Sequence, residues 1–163
     1  CLTVFAVMQG AVSARPWEGM VILEPREWVG QRLPILGEID LGDELSRGEW
    51  LVVLFRHDCP LCDRELPRYA ELAQQWNITG APGRIAAIEV PPFGDDMAVA
   101  TKLGGLRYGR LSDRRVWFVT TPTLMRIIDG EVKAVNDEPA LLPATSNEKN
   151  VPSREHRRVT HVR

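Results

Sequence analysis

The stretch "RHDCPLCDRELP", Arg56 to Pro67, sets Cys59 and Cys62 in a Cys-x-x-Cys pair between the apolar run Leu51 to Phe55 and a segment of helical periodicity. Three chemistries fit two such cysteines. They can cycle between dithiol and disulfide, ligate a soft metal as thiolates, or fill a core as small apolar side chains. The position favours the first. A cysteine at the first turn of a helix meets unpaired backbone N–H groups and the positive end of the helix dipole, and both stabilise a thiolate. Cys59 holds that place, and Cys62 follows one turn further in, more shielded. Cys59 is therefore expected to attack a substrate disulfide and Cys62 to resolve the mixed disulfide; oxidation of a substrate dithiol runs the same path backwards. The metal alternative finds no second Cys or His pair to close a tetrahedral structural site.

The remaining loop residues are His57, Asp58, Pro60 and Leu61. Asp58 would raise the Cys59 pKa, whereas Arg56, Arg64 and a protonated His57 would lower it. His57 reads either as an exposed loop histidine or as a general base. Glu65 and Glu89 are carboxylates that could assist proton transfer to Cys62, or else be solvated or ion-paired. The tryptophans Trp17, Trp28, Trp50, Trp76 and Trp117 read as packing residues.

The elements that must position the pair follow from periodicity. Leu51 to Phe55 is continuous and β-branched, as in a strand buried on both faces. Leu66, Tyr69, Leu72, Ala73 and Trp76 recur at helical spacing within Cys62 to Trp76, with Pro67 expected to kink that helix. "RIAAIEV", Arg84 to Val90, is a second buried strand closed by Pro91-Pro92, and residues 95–103 suit a short helix. "MVILEP" from Met20 and "VWFV" from Val116 are short strands. Asp129-Gly130 between two apolar runs signals a tight hairpin. The stretch 26–50 reads as a connector rich in turn residues. Alternation first and a hairpin last predict an α/β sandwich with a mixed sheet.

Pro67 follows the second cysteine by five residues, and "TPTLMRIIDGEV" follows further on. With these features the chain resembles the thioredoxin-fold superfamily, and within it the TlpA/ResA-type thiol–disulfide oxidoreductases, over about Gln31 to Val135. The resemblance implies a thioredoxin-like sandwich, a central mixed β-sheet flanked by helices, with or without the full C-terminal helix. It implies a cis proline at Pro122 facing the disulfide, with Thr121 offering backbone hydrogen bonds to a bound peptide. It needs no cofactor. The chain departs from the pattern at Asp58, where an aromatic residue is usual, and at Val53, where plain thioredoxins bury an acid. "PPFGDDMAVATKLGGLRYG" reads as an insertion relative to them. Arg56 and Val52 stand where a peroxiredoxin needs a hydroxyl residue and a proline.

The formal net charge of −2 gives no reason to expect nucleic acid. With 44% hydrophobic and 26% charged residues among 163, one globular domain is expected. Its bounds are residues 21–137, after a signal-like or membrane-proximal segment 1–20 and before a disordered tail 138–163. Val12-Ser13-Ala14 resembles a signal peptidase site. Cys1 is left over, and Arg154, Arg157 and Arg158 read as solvated. The expected function is thiol–disulfide exchange on protein thiols, fed by an upstream redox partner, in an exported or membrane-tethered protein; a cytoplasmic setting is the other option. The alternative is a non-enzymatic thioredoxin-like module that binds copper, zinc or a protein through the same loop.

Overall fold

The computed structural model describes residues 19–95, Val99, Leu103 and residues 106–136. The expectations on residues 1–18, including Cys1 and the cleavage site, and on the tail with its arginines and histidines lie outside these residues. So does the expectation about a C-terminal helix.

Five strands form the main sheet: β2 (Glu49–Phe55), β3 (Gly83–Glu89), β4 (Arg107–Arg110), β6 (Thr123–Ile128) and β7 (Glu131–Val135). Their order is β4-β3-β2-β6-β7. β2, β3 and β4 run parallel, while β6 and β7 are antiparallel to their neighbours. This is the mixed sheet expected. β2 lies at its centre and is buried from Trp50 to Phe55 because both faces are covered.

One face carries Leu51, Val53, Phe55, Ile85 and Ala87, packed against Cys62, Leu66 and Ala70 of helix α2 (Pro60–Thr79) and against Val99 and Leu103. The opposite face carries Trp50, Val52, Leu54, Ala86, Ile88, Met125 and Ile127. Its cover is the stretch read as a connector. Trp28, Leu33, Ile35, Leu36, Ile39, Leu41 and Leu45 are all buried there, on two 3-10 turns, the short helix α1 (Gly42–Leu45) and the segments that join them. That reading is corrected: the apolar residues recur at irregular spacing because short turns, not one long element, present them, so no single period exposed them as core.

Other boundaries moved as well. α2 runs through Pro67 without interruption and past Trp76 to Thr79, where Gly80 closes it in the left-handed conformation. The supposed insertion contains β4, an edge strand pairing with β3. "VWFV" contributes β5 (Val116–Phe118), which pairs in parallel with β1 (Met20–Ile22) in a separate two-stranded sheet. Met20 opens the strand expected of "MVILEP".

The β6–β7 turn is the expected hairpin. Asp129 and Gly130 both have positive φ, 51° and 80°, as a tight turn compatible with strand twist requires. The turn is pinned from outside: the Gly48 N–H donates to Asp129 Oδ1 at 2.8 Å, and the Asp129 N–H donates to the Gly48 carbonyl at 2.9 Å.

Candidate active site

β2 ends at Phe55 and the chain turns before α2, with the Cys59 N–H donating to the Arg56 carbonyl. Cys59 is the N-cap residue of α2, and Pro60 opens the helix, where its missing N–H costs nothing. Cys59 Sγ accepts the Cys62 N–H at 3.1 Å, so the sulfur sits where a helix N-terminus offers its unpaired donors. Cys59 and Cys62 are joined as a disulfide with Cα atoms 5.2 Å apart. Cys62 is fully buried, and Cys59 is half-exposed beside an exposed Leu61.

The Thr121–Pro122 peptide bond is cis, and the Thr121 carbonyl oxygen lies 3.5 Å from Cys59 Sγ. Two segments far apart in sequence thus meet at the sulfur. They are brought there because β6, which begins at Thr123, pairs with β2, with Leu54 opposite Thr123.

The fold is thioredoxin-like.

No protein-family model and no curated protein matches the chain. Among solved structures it is similar to a thiol:disulfide interchange protein from Bacteroides sp., at 13% identity over 58% of this chain and 67% of that one, with a TM-score of 0.47. A thioredoxin family protein from Chlorobium tepidum TLS, described as a thiol:disulfide interchange protein, matches at 18% identity over 61% and 83%, TM-score 0.43. A secreted disulfide oxidoreductase of Mycobacterium tuberculosis, homologous to E. coli DsbE, matches at 14% identity over 58% and 72%, TM-score 0.42.

The charges around Cys59 largely cancel. Arg56 donates twice to Asp58, at 2.9 Å from Nε and from Nη2. This guanidinium holds the Asp58 carboxyl down to about 2, so its negative charge is matched locally rather than turned on the cysteine. Glu65 pairs with Arg68 at 2.7 Å and Arg64 at 3.5 Å, as a partly buried ion-paired carboxylate on α2.

Glu89 is different. It is fully buried at the end of β3, and strand alternation puts it on the face that also holds Ala87, Phe55 and Cys62. Its Oε1 accepts the Gly94 N–H at 2.8 Å. Its Oε2 accepts the hydroxyl of Tyr108, which in turn accepts from Arg110 Nε at 2.7 Å. Arg110 Nε itself lies 3.7 Å from Glu89 Oε2, and His57 Nδ1 lies 3.8 Å from Oε1. The sequence reading named Glu89 and His57 but missed Tyr108, Arg110 and Gly94. The available signal was "RYGR", whose Tyr and Arg at i and i+2 share one face of a strand.

Burial first, then the hydrogen bond to the Glu89 carboxylate, pushes the Tyr108 hydroxyl up to about 12. A group whose pKa is raised by folding stabilises the fold fully below its unfolded value of roughly 10 and loses that contribution as pH rises through about 12. Phenolate absorbance should therefore show a late step near pH 12 that Tyr108→Phe removes. A Tyr108→Phe protein with an unchanged alkaline titration would contradict the assignment.

Proposed function

We propose that this protein is a thiol–disulfide oxidoreductase of the TlpA/ResA type, with Cys59 as nucleophile and Cys62 as resolving cysteine. The observation that carries the reading is Cys59, partly exposed at the N-cap of α2, joined to a fully buried Cys62 and with its sulfur 3.5 Å from the Thr121 carbonyl oxygen. In the reducing direction the Cys59 thiolate attacks a substrate disulfide, and one substrate thiolate leaves. Cys62 then gives up its proton and attacks the Cys59 sulfur, releasing the second substrate thiolate. Two electrons pass to the substrate, and the pair ends as a disulfide.

Thr121 and Pro122 line the place where an extended substrate segment can lie against the backbone, as an added strand does. Their role is to hold the substrate sulfur in line with Cys59. His57, Asp58, Pro60 and Leu61 form the rest of the rim, and the substrate is a protein thiol or disulfide. An extracytoplasmic setting suits the chemistry, since disulfides persist outside the reducing cytosol. Among the described residues no helix is long and apolar enough to cross a membrane.

A glutathione redox titration followed by mass spectrometry tests the reading. The expected outcome is one two-electron transition, with a loss of two hydrogens assigned to Cys59 and Cys62. Absence of an intramolecular disulfide at every ratio would overturn it.

A further inference from the structure

We propose, resting on the oxidoreductase reading, that Gly94 is a positioning residue for Cys59. Its missing side chain and its anchor on the buried Glu89 set the turn that presents the Cys59 sulfur to Cys62.

Cys59 follows β2 by a turn of Arg56, His57 and Asp58. The turn is tied within itself. The Cys59 N–H donates to the Arg56 carbonyl at 3.3 Å, and the Arg56 guanidinium donates twice to Asp58. It is also tied to a segment distant in sequence. The Val90 N–H donates to the Phe55 carbonyl at 2.8 Å. Arg56 Nη1 reaches the Pro91 carbonyl oxygen at 3.5 Å, and His57 Nδ1 reaches the Pro92 carbonyl oxygen at 2.9 Å. A carbonyl only accepts, so both side chains donate from the turn to the loop. Phe55, Arg56 and His57 thus meet Val90, Pro91 and Pro92 in step, and the two segments run side by side up to Gly94.

At Gly94 they leave no room. A Cβ on this residue would stand 2.7 Å from His57 Cβ and 3.0 Å from His57 Cγ. His57 Cβ is bonded to the backbone, so no change of rotamer moves it away. On the other side a Val99 methyl stands 3.3 Å from the same point. The loop is held from beneath as well. The Gly94 N–H donates to Glu89 Oε1 at 2.8 Å. Glu89 is fully buried, and its Oε2 accepts the Tyr108 hydroxyl, to which Arg110 Nε donates at 2.7 Å. A buried carboxylate persists only with such partners, and here they fix the loop to β3 and β4. A methyl group at position 94 therefore has to displace the backbone of the turn, opening 2.7 Å to an ordinary contact of 3.4 Å or more.

The sulfur lies at the far end of that turn. Cys59 Sγ is set 3.1 Å from the Cys62 nitrogen and 3.5 Å from the Thr121 carbonyl oxygen. Attack of Cys62 on Cys59 is intramolecular, so its rate depends on how the two sulfurs are aligned. A misplacement of about 1 Å can cost about a hundredfold, and part of such a shift should slow ring closure roughly tenfold. The preceding attack of Cys59 on an outside disulfide is bimolecular, and the incoming partner adapts its approach. The mixed disulfide should then accumulate.

The test uses the reduced full chain and oxidised glutathione, with acid quenching and mass spectrometry. Cys59 attacks one glutathione sulfur and one reduced glutathione leaves; Cys62 gives up its proton, attacks Cys59 Sγ, and the second glutathione leaves. The lifetime of the Cys59–glutathione adduct reads ring closure directly. Gly94→Ala should lengthen it roughly tenfold over wild type. His57→Gly removes both atoms that the new methyl meets. Adding Gly94→Ala to His57→Gly should therefore leave the adduct lifetime within about threefold of His57→Gly alone, since the two changes share one contact. Equal lifetimes in wild type and folded Gly94→Ala would overturn the proposal, even with a lowered urea midpoint, because loss of stability alone leaves ring closure untouched. A full tenfold delay that persists in the double variant would overturn it too. If Gly94→Ala alone fails to fold, the double variant decides: folding and closure at the His57→Gly rate support the contact, and an unfolded or delayed double variant refutes it. A wild-type disulfide that forms while Gly94→Ala closes as fast sinks this inference alone; no wild-type disulfide at any glutathione ratio sinks the parent reading.

Discussion

A Cys62→Ser protein should accumulate mixed disulfides with its substrates, whereas Cys59→Ser should form none. In the proposed exchange the substrate reaches Cys59, the partly exposed residue of the pair, and the buried Cys62 attacks Cys59 afterwards. Without Cys62 the first exchange still occurs, but resolution waits on an outside thiol. Without Cys59 no attack begins, and exchange should drop by orders of magnitude, as when a nucleophile is deleted. Non-reducing gels of both variants, followed by peptide mapping, decide the matter. Stable adducts on Cys62 in Cys59→Ser would reverse the roles.

The second large effect is on stability and lies far from the sulfurs. Leu45 is fully buried on α1, in the cluster with Trp50, Leu54 and Ile127. Leu45→Ala removes buried methyl groups and leaves a cavity, at a cost of about 2–5 kcal/mol. Against a total of roughly 5–15 kcal/mol for a domain, that is a large fraction. Urea unfolding should show a lower midpoint with an unchanged slope. A loss below about 1 kcal/mol would mean that residues 23–45 do not cover the sheet as described. The same change should leave the alkylation rate of Cys59 in the folded protein untouched, since the sheet lies between Leu45 and α2.

Much of the site was legible because its signals are local. A strand of unbroken apolar residues, a cysteine at the helix start and a second one turn later fall within twelve residues. The Asp129-Gly130 turn is equally local, as few residues adopt positive φ in succession. The cover of the second face was not legible. Trp28, Leu33, Ile35 and Leu41 sit on turns whose buried positions follow no period, so only the sheet beneath them explains their apolar character. β4 was hidden for a related reason: an edge strand of four residues, "RYGR", carries charge because one side of it meets solvent and the other meets Glu89.

The sequence by itself determined the cysteine spacing at a helix start, the central strand, the long helix and the hairpin, since each depends on neighbours along the chain. Only the tertiary structure decided what surrounds the pair. Asp58 looked like a charge aimed at Cys59, and its partner Arg56 turns out to match it through two hydrogen bonds. Glu65 and Glu89 looked alike as candidate proton carriers. Folding leaves Glu65 in a surface ion pair and buries Glu89 beneath Gly94, Tyr108 and His57. The reason is the parallel pairing of β3 between β2 and β4. It aligns Glu89 with Phe55 on one side and Arg110 on the other, and so brings a carboxylate 32 positions after His57 to within 3.8 Å of its ring.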